Sequence, residues 1–458
     1  MMDHITNAPN IRTRHLAAYA SQIGIATLPA EVVERARQVV LDTCGALLSG
    51  AQLEPGRAII AFAYDLAGRP EATVACSAVQ LAAMDAALIN GALAHADETD
   101  DSHFSSLTHP AAMTVPAALA VGEARGLDGA TFLAAVTGGY DVQCRVAKAM
   151  GPRNLQSRGF MALAVCGSFG AAAAAGRALR LDEGQMVNAL GLAGLQTGGL
   201  WACAEEPGHY AKALQSGFPA RNGVTAALLA AQGLPGPQAI LEGPNNAVAA
   251  FSDHPDYDQL TADLGQRFEI MGTSIKKHAC GGPIRGPVDG LLDLMKHHHL
   301  TTDDLKDIEV RLAHSAVQIV GSRSIPSISL PYVLAVAAYD GYVGIEQTHS
   351  PTRTQDSMVL TLAQRVRLLG DDEMERVWPT LRPAIVTLSL RDGRTLSTRV
   401  DHAAGSPERP LTRAEIAEKF LRLTGTVIGE SRARELVALV WRLETVADVR
   451  DLTVYLRP

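Results

Sequence analysis

Aromatic residues are scarce in this chain of 458 residues, at 5%, whereas alanine and 41 glycines are abundant. Helices of that composition can bring their backbones close together. Long apolar runs are also missing, because Ala-rich stretches such as Cys166–Ala178 are interrupted by glycine and arginine. No stretch reaches the roughly 20 apolar residues that a membrane span requires. A hydrophobic share of 47% and a charged share of 19% predict a globular protein with ample core material.

An excess of positive charge is absent too. The net charge of −8 and the pI near 6.0 argue against a nucleic-acid partner, which would require a basic face. The six cysteines form no CxxC pair and mostly lie among alanine, valine and leucine, so we expect reduced core residues. The N-terminal stretch MMDHITNAPNIRTRH has no apolar run behind its charges. We therefore expect no signal peptide and a cytoplasmic protein.

The chain is too long for one core, and its patterns change twice. Helical spacing predominates from Thr13 to about Gly265 and returns after a capping box formed by Thr412 and Glu415. Alternation typical of strands begins near Phe268 and recurs between these blocks. The clearest strands are Ile308–Ala313, Ala384–Leu390 and Thr395–Val400, the last two joined by an Asp-Gly turn.

These patterns predict a mainly α protein, with a large all-helical domain and an inserted, smaller α+β lid domain. The helical domain would comprise residues 1–267 and 401–458, and the lid residues 268–400. A pocket is expected at their junction.

The densest set of chemically active side chains lies in Asn90–Pro110, NGALAHADETDDSHFSSLTHP. Four acids at 97, 98, 100 and 101 stand between three histidines at 95, 103 and 109. Carboxylates and imidazoles at short range shift one another's pKa, as in proton-transfer sites. Two other interpretations stay open: a solvated loop between helices, and a divalent metal site, although no HExxH-type spacing is present.

Three cations, Lys212, Lys276 and Arg285, lie in polar turns between apolar elements. One base, one imidazole and a lysine suffice to abstract a proton beside a carboxylate, and cations stabilise the enediolate-like charge that develops. For each cation taken alone, an exposed surface charge is the simpler interpretation. Glycine-rich nucleotide-binding motifs are absent.

Several segments together resemble the MmgE/PrpD family, which includes 2-methylcitrate dehydratase, cis-aconitate decarboxylase and iminodisuccinate epimerase. The most specific segments are NGALAHADETDDSHFSSLTHP and KALQSGFPARNG; GGYDVQCRV, IKKHACGGPIRGPVDG and SLPYVLAVAAYDG agree with them. The resemblance implies a homodimer of two-domain subunits that needs no metal or organic cofactor. Its substrate would be a small di- or tricarboxylic acid, with neither nucleic acid nor membrane as partner.

The family's motifs place site residues on this sequence. The resemblance implies catalytic roles for Lys212, His109, Tyr140, Tyr332 and Glu98. It implies substrate-binding roles for Asp101, Ser102, Lys276 and Arg285. His95 and His103 are expected to pack behind them.

Three positions depart from the family pattern, because Met161, Gly281 and Arg285 stand where histidines are common. A dehydratase must protonate a departing hydroxide, whereas an epimerase needs only two groups on opposite faces of a carbon. The first prediction is therefore a cofactor-independent epimerase of the iminodisuccinate type, abstracting a proton α to a carboxylate. The alternative is a lyase of the 2-methylcitrate dehydratase or cis-aconitate decarboxylase type. A metal-dependent hydrolase and a non-catalytic binding protein are alternatives of other classes.

Overall fold

Helices dominate the computed structural model, which describes residues 11–321 and 323–458, and this confirms the prediction of a mainly α protein. The chain forms two compact units. The first, which we call the helical unit, comprises the chain up to Ala96, Ser106–Gly272 and Thr424–Pro458; the second, the mixed unit, comprises Asp97–Ser105 and Thr273–Leu423. Residues 1–10, which hold most of the stretch on which the absence of a signal peptide is predicted, lie outside the described residues.

The helical unit begins its helices at the local signals expected from sequence. Pro29 precedes one helix, and the Asp128 side chain accepts a hydrogen bond from the Thr131 amide at the start of another. The α-helices assigned to this unit are Ile11–Gln22, Ala30–Gly50, Glu54–Asp65, Ala83–Ala94, Ala111–Arg125, Gly129–Met150, Pro152–Ser157, Ala162–Ala178, Glu183–Gly194, Leu214–Ala231, Ala247–Phe251, Glu430–Val440 and Arg450–Thr453. Ala72–Thr73 and Gln80–Leu81 pair as two short antiparallel strands.

Small residues let the central helices of this unit approach closely, as the composition predicts. Gly139, in the helix Gly129–Met150, is one such contact point. A Cβ atom added there would lie 2.8 Å from Cγ2 of Thr114 and 2.9 Å from Cβ of Ala174, which belong to two neighbouring helices. Because the interior is packed at this density, even one methyl group would displace its neighbours.

The mixed unit contains a four-stranded sheet: β1 Leu305–Leu312, β2 Val366–Gly370, β3 Ala384–Leu390 and β4 Thr395–Val400. Its order is β2-β1-β3-β4, with β1 parallel to β2 and the other pairs antiparallel. The helices of this unit are Arg285–His297, His314–Val320, Leu330–Asp340, Ile345–His349, Pro351–Thr354, Ser357–Ala363 and Asp372–Val377. Alternate β3 residues are buried against them, which explains the alternating sequence.

The strand predicted from the alternation at Phe268 is wrong. Glu269–Gly272 forms a 3₁₀ turn, and only Thr273–Ser274 is extended. Its partner strand, Ser102–His103, has only two residues, so the two strands cannot form a longer ladder of hydrogen bonds. The capping box is confirmed, because the Thr412 amide donates to Glu415 and the Glu415 amide donates to the Thr412 hydroxyl. It starts the helix Arg413–Ile428, within which the boundary between the units falls.

Across the described part of the chain, every helix is either too short or too polar to cross a membrane.

Candidate functional site

The acidic segment Asp97–Ser105 packs as part of the mixed unit, although the residues on both sides of it belong to the helical unit. Its backbone pairs antiparallel with Thr273–Ser274, with Ser102 opposite Ser274. Asp97, Asp100 and Asp101 are between 1% and 3% exposed. The interpretation of this run as a solvated loop is therefore wrong. Buried carboxylates require compensating partners, and the mixed unit supplies them.

Lys276 is the central cation of this segment. Its Nζ lies 3.2 Å from Oε2 of Glu98 and 3.5 Å from Oδ1 of Asp100, and the side chain is 1% exposed. Burial alone would lower the pKa of Lys276, but the two carboxylates outweigh it and raise the pKa above its ordinary value. The ammonium group therefore stays charged at neutral pH. That suits it to hold an anion and not to act as a base.

Two further residues hold the acidic segment in place, and no local pattern in the sequence predicts either of them. Lys419 donates from Nζ to the Thr99 carbonyl at 2.7 Å, across 320 positions of sequence. His349 lies with Nε2 at 2.8 Å from Oδ1 of Asp97. Lys419 sits in an amphipathic helix and His349 at a helix end, where such residues are ordinary. Only the fold brings them to this segment.

Arg285 lies at the first position of the helix Arg285–His297 and is 2% exposed. Its Nη1 donates to Oγ of Ser274 at 2.6 Å, and its Nη2 donates to the Ala404 carbonyl at 2.6 Å. Ser274 pairs with Ser102, so Arg285 lies close to the short strand pair that holds the acidic segment. Through these contacts Arg285 joins the helix that it begins to the segments that contain Ser274 and Ala404.

Tyr332, in the first turn of the helix Leu330–Asp340, is 6% exposed. Its hydroxyl donates a hydrogen bond to the Gln347 carbonyl. Burial raises the pKa of Tyr332 to about 12. At neutral pH this side chain therefore acts as a hydrogen-bond donor.

The helical unit places the other predicted residues on three elements around the helix Ala111–Arg125. His109 lies just before that helix, Tyr140 in the middle of Gly129–Met150, and Lys212 in the short 3₁₀ turn Ala211–Ala213 that leads into Leu214–Ala231. The last two helices both pack on Ala111–Arg125. Tyr140 is fully buried and Lys212 is 6% exposed. The ring centroids of His109 and His95 are 4.8 Å apart.

Asp141, next to Tyr140, is a buried acid of a different kind. It accepts hydrogen bonds from the Tyr19 hydroxyl and from the Glu269 amide. Burial raises its pKa to about 6, and those hydrogen bonds only partly oppose the rise. This carboxyl group therefore keeps its proton to a higher pH than an ordinary aspartate does.

His278 of the mixed unit is buried in its neutral form. Its Nδ1 accepts a hydrogen bond from the Val343 amide at 3.2 Å, and its Nε2 lies 4.0 Å from Oδ1 of Asp289. Burial lowers the pKa of His278 to about 3, and four surrounding cations add to that effect: Lys277, Arg285, Lys419 and Arg422.

Two family models match the chain. Residues 14–260 match the MmgE/PrpD N-terminal domain, and residues 278–445 match the MmgE/PrpD C-terminal domain. Together they cover most of the sequence, and Lys276 lies in the short stretch between the two matches.

Curated relatives extend the match to almost the whole chain. A cis-aconitate decarboxylase of Aspergillus terreus is 27% identical over 98% of this chain and 96% of its own length. A cis-aconitate decarboxylase-like protein of Aspergillus oryzae is 28% identical over 96% of each. The human cis-aconitate decarboxylase is 25% identical over 97% of this chain and 94% of its own. The prediction of an enzyme, an isomerase or a lyase, agrees with these relatives, and the chain belongs to the MmgE/PrpD family.

Proposed function

We propose that this protein is a cofactor-independent lyase that decarboxylates a small tricarboxylic acid of the cis-aconitate type. The observation that carries the proposal is the nearly end-to-end match to a cis-aconitate decarboxylase, over 98% of this chain and 96% of the relative. It favours the lyase alternative over the epimerase that we predicted first. The epimerase prediction rested on the histidines missing at Met161, Gly281 and Arg285, so a decarboxylase of this sequence must take its proton from another group.

Decarboxylation requires the protein to stabilise a developing negative charge and to deliver a proton. The C–C bond to one carboxylate breaks, its electron pair stays on the remaining carbon, and carbon dioxide leaves. That pair is delocalised towards a neighbouring carboxylate, where fixed cations stabilise it. A general acid then delivers a proton to carbon, which completes the balance.

The buried Lys276, whose neighbouring carboxylates raise its pKa, supports the stabilisation of this charge. We assign carboxylate binding to Lys276, with Glu98 orienting it at 3.2 Å, and assign the support of this region to Arg285. Asp101 and Ser102 lie in the same segment as Glu98.

For proton delivery we propose His109, Tyr140 and Lys212. All three come from the helical unit, where they lie on the elements around one helix. Tyr332 keeps its proton at neutral pH because its pKa is raised, and its hydroxyl would have to release the Gln347 carbonyl before it could donate to a substrate.

The arrangement of residues 268–400 as an inserted lid, with residues 1–267 and 401–458 as the helical domain, remains part of the proposal, as does a homodimer. Large apolar side chains exposed between residues 195 and 234 support the homodimer, because monomers rarely expose such sets. They are Leu195, Leu200, Trp201, Tyr210, Phe218, Leu229 and Leu234.

The proposal is tested by incubating the purified protein in D₂O with cis-aconitate, 2-methylcitrate and iminodisuccinate, followed by proton NMR. We expect cis-aconitate to lose carbon dioxide and to gain one deuteron on carbon. Deuterium exchange with inversion of iminodisuccinate would restore the epimerase, and a new alkene from 2-methylcitrate would indicate a dehydratase. If none of the three acids changes, the substrate class is wrong.

The same assay separates the metal-dependent alternative. After prolonged chelation and removal of the chelator, we expect full activity. Lasting loss that a divalent ion restores would overturn the cofactor-independent proposal. Binding of a tricarboxylate without turnover would instead support a non-catalytic binding protein.

A further inference from the structure

Arg382 is an arginine of the mixed unit whose charge is not balanced by an acid. It is half-buried, and among the described residues no carboxylate lies within ion-pair distance of it. Other arginines of the unit, such as Arg353 and Arg394, do pair with aspartates. The guanidinium has a single hydrogen bond to described residues, from Nε to the Pro379 carbonyl at 3.4 Å. A partly desolvated cation without a counter-ion is unfavourable unless something else binds to it.

Two aromatic rings fix the position of this guanidinium. Its central carbon lies 3.9 Å from the ring centroid of Phe104 and 4.9 Å from that of Trp378. Stacking on aromatic faces orients the plane of an arginine and leaves its outer N–H groups available to bind a planar carboxylate in bidentate geometry. Phe104 belongs to the acidic segment, directly beyond Ser102 and His103.

The surroundings of Arg382 add further positive potential. The guanidinium carbon of Arg285 lies 6.0 Å from the same Phe104 ring. A side chain at Gly282 would collide with Nη1 of Arg382, so the guanidinium sits against the turn Gly282–Ile284. That turn leads directly into the 13-residue helix Arg285–His297, whose N-terminus favours anions. Burial and the neighbouring Arg285 both lower the pKa of Arg382, because each disfavours its charged form. A bound anion would stabilise that charged form.

We propose that Arg382, held by Phe104 and Trp378, binds one carboxylate of the polycarboxylate substrate through its two outer nitrogens. The inference rests on the proposed function in so far as the anion is a substrate carboxylate. It adds a specificity-determining residue that the sequence pattern did not single out. Loss of this contact weakens binding of acids that carry the carboxylate it recognises.

The test is titration calorimetry with tricarballylate, a tricarboxylate without the alkene, on wild type, Arg382→Gln and Arg394→Gln. Arg394 is a matched control, because it is exposed and paired with Asp392 on the hairpin turn. Loss of a bidentate, charge-assisted contact should raise the Kd of Arg382→Gln about 10- to 100-fold. Arg394→Gln should bind as wild type does. An unchanged Kd for Arg382→Gln, or a wild type that binds no tricarballylate, overturns the proposal.

Arg382→Lys keeps the positive charge and most of the stem, so it separates recognition from packing. Without the planar fork its Kd should rise by a smaller factor, roughly 3- to 10-fold, at an unchanged unfolding midpoint. If Arg382→Lys and wild type bind tricarballylate equally well, the bidentate contact of the guanidinium does not contribute, and the proposal is wrong.

The substrate assay distinguishes this failure from failure of the proposed function. If cis-aconitate is decarboxylated with the same KM by wild type and Arg382→Gln, the Arg382 proposal is wrong and the lyase stands. If tricarballylate binding depends on Arg382 but no acid reacts, the anion site stands and the lyase is wrong.

Discussion

The helical unit and the mixed unit bury charged groups in opposite ways. In the helical unit the buried carboxyl of Asp141 faces a hydroxyl and a backbone amide, and its pKa rises to about 6. In the mixed unit Lys276 faces two carboxylates, and its pKa rises so that it stays charged. Burial therefore dominates the pKa of the acid in the helical unit, whereas paired opposite charges dominate the pKa of the lysine in the mixed unit.

The largest expected effect on stability is that of Lys276→Met. It leaves the buried carboxylate of Asp100 and the partly buried one of Glu98 without their cation, which should lower the free energy of unfolding by about 3–5 kcal/mol. Lys277→Met is the matched control, because its side chain is 41% exposed and lies 3.7 Å from Glu415. Removal of such a surface pair costs about 0–1 kcal/mol. Urea denaturation measures both, and equal costs would show that Lys276 is not held as described.

The next effect is a pH dependence of opposite sign in the two units. The pKa of His278 is about 3 in the folded protein and near 6.5 when unfolded, so the unfolded chain binds an extra proton between those values. Stability is therefore lost as the pH falls below 6.5, by about 2 kcal/mol at pH 5. For Asp141 the folded pKa of about 6 exceeds the ordinary 3.8, so acidification in that range stabilises the fold.

Urea denaturation at pH 7 and pH 5 checks both signs. The loss of stability on acidification should shrink in His278→Asn and grow in Asp141→Asn. A loss that is the same in wild type and both variants would contradict the burial of these groups in the stated forms.

The smallest effect concerns helix packing. Gly139→Ala should lower the free energy of unfolding by about 1–2 kcal/mol, because the added methyl meets Thr114 and Ala174. Gly425→Ala is the control: it lies in the helix Arg413–Ile428 with open space around it, and should be stabilising by roughly 0.5–1 kcal/mol. If both changes raise the thermal midpoint, the close approach at Gly139 is not tight.

Features that depend on neighbouring residues were predictable from the sequence. The hairpin at Asp392-Gly393 and the Thr412–Glu415 capping box follow from local backbone chemistry, and both are confirmed. The strand at Phe268 failed, because alternation indicates an extended segment but not whether a long partner exists. The strand Val366–Gly370, partly exposed along its length, carried no clear alternation and was not predicted.

Features that depend on distant residues were not predictable. The acids at 97–101 stood out in the sequence, but their partners at 276, 349 and 419 are separated from them by up to 320 positions. Lys276 was singled out as a candidate cation but without its partners, whereas His349 and Lys419 look like ordinary helix residues until the chain folds. Likewise, nothing in the sequence distinguishes Arg382 from the exposed arginines near it.

The central claim is that Lys212 of the helical unit takes part in proton transfer. The most direct test is steady-state kinetics of Lys212→Ala on whichever acid reacts in the NMR assay, alongside its thermal unfolding midpoint. We expect kcat to fall by about 10²- to 10⁴-fold with the midpoint nearly unchanged. An unchanged kcat, or a loss explained by a large fall in the midpoint, would contradict the claim.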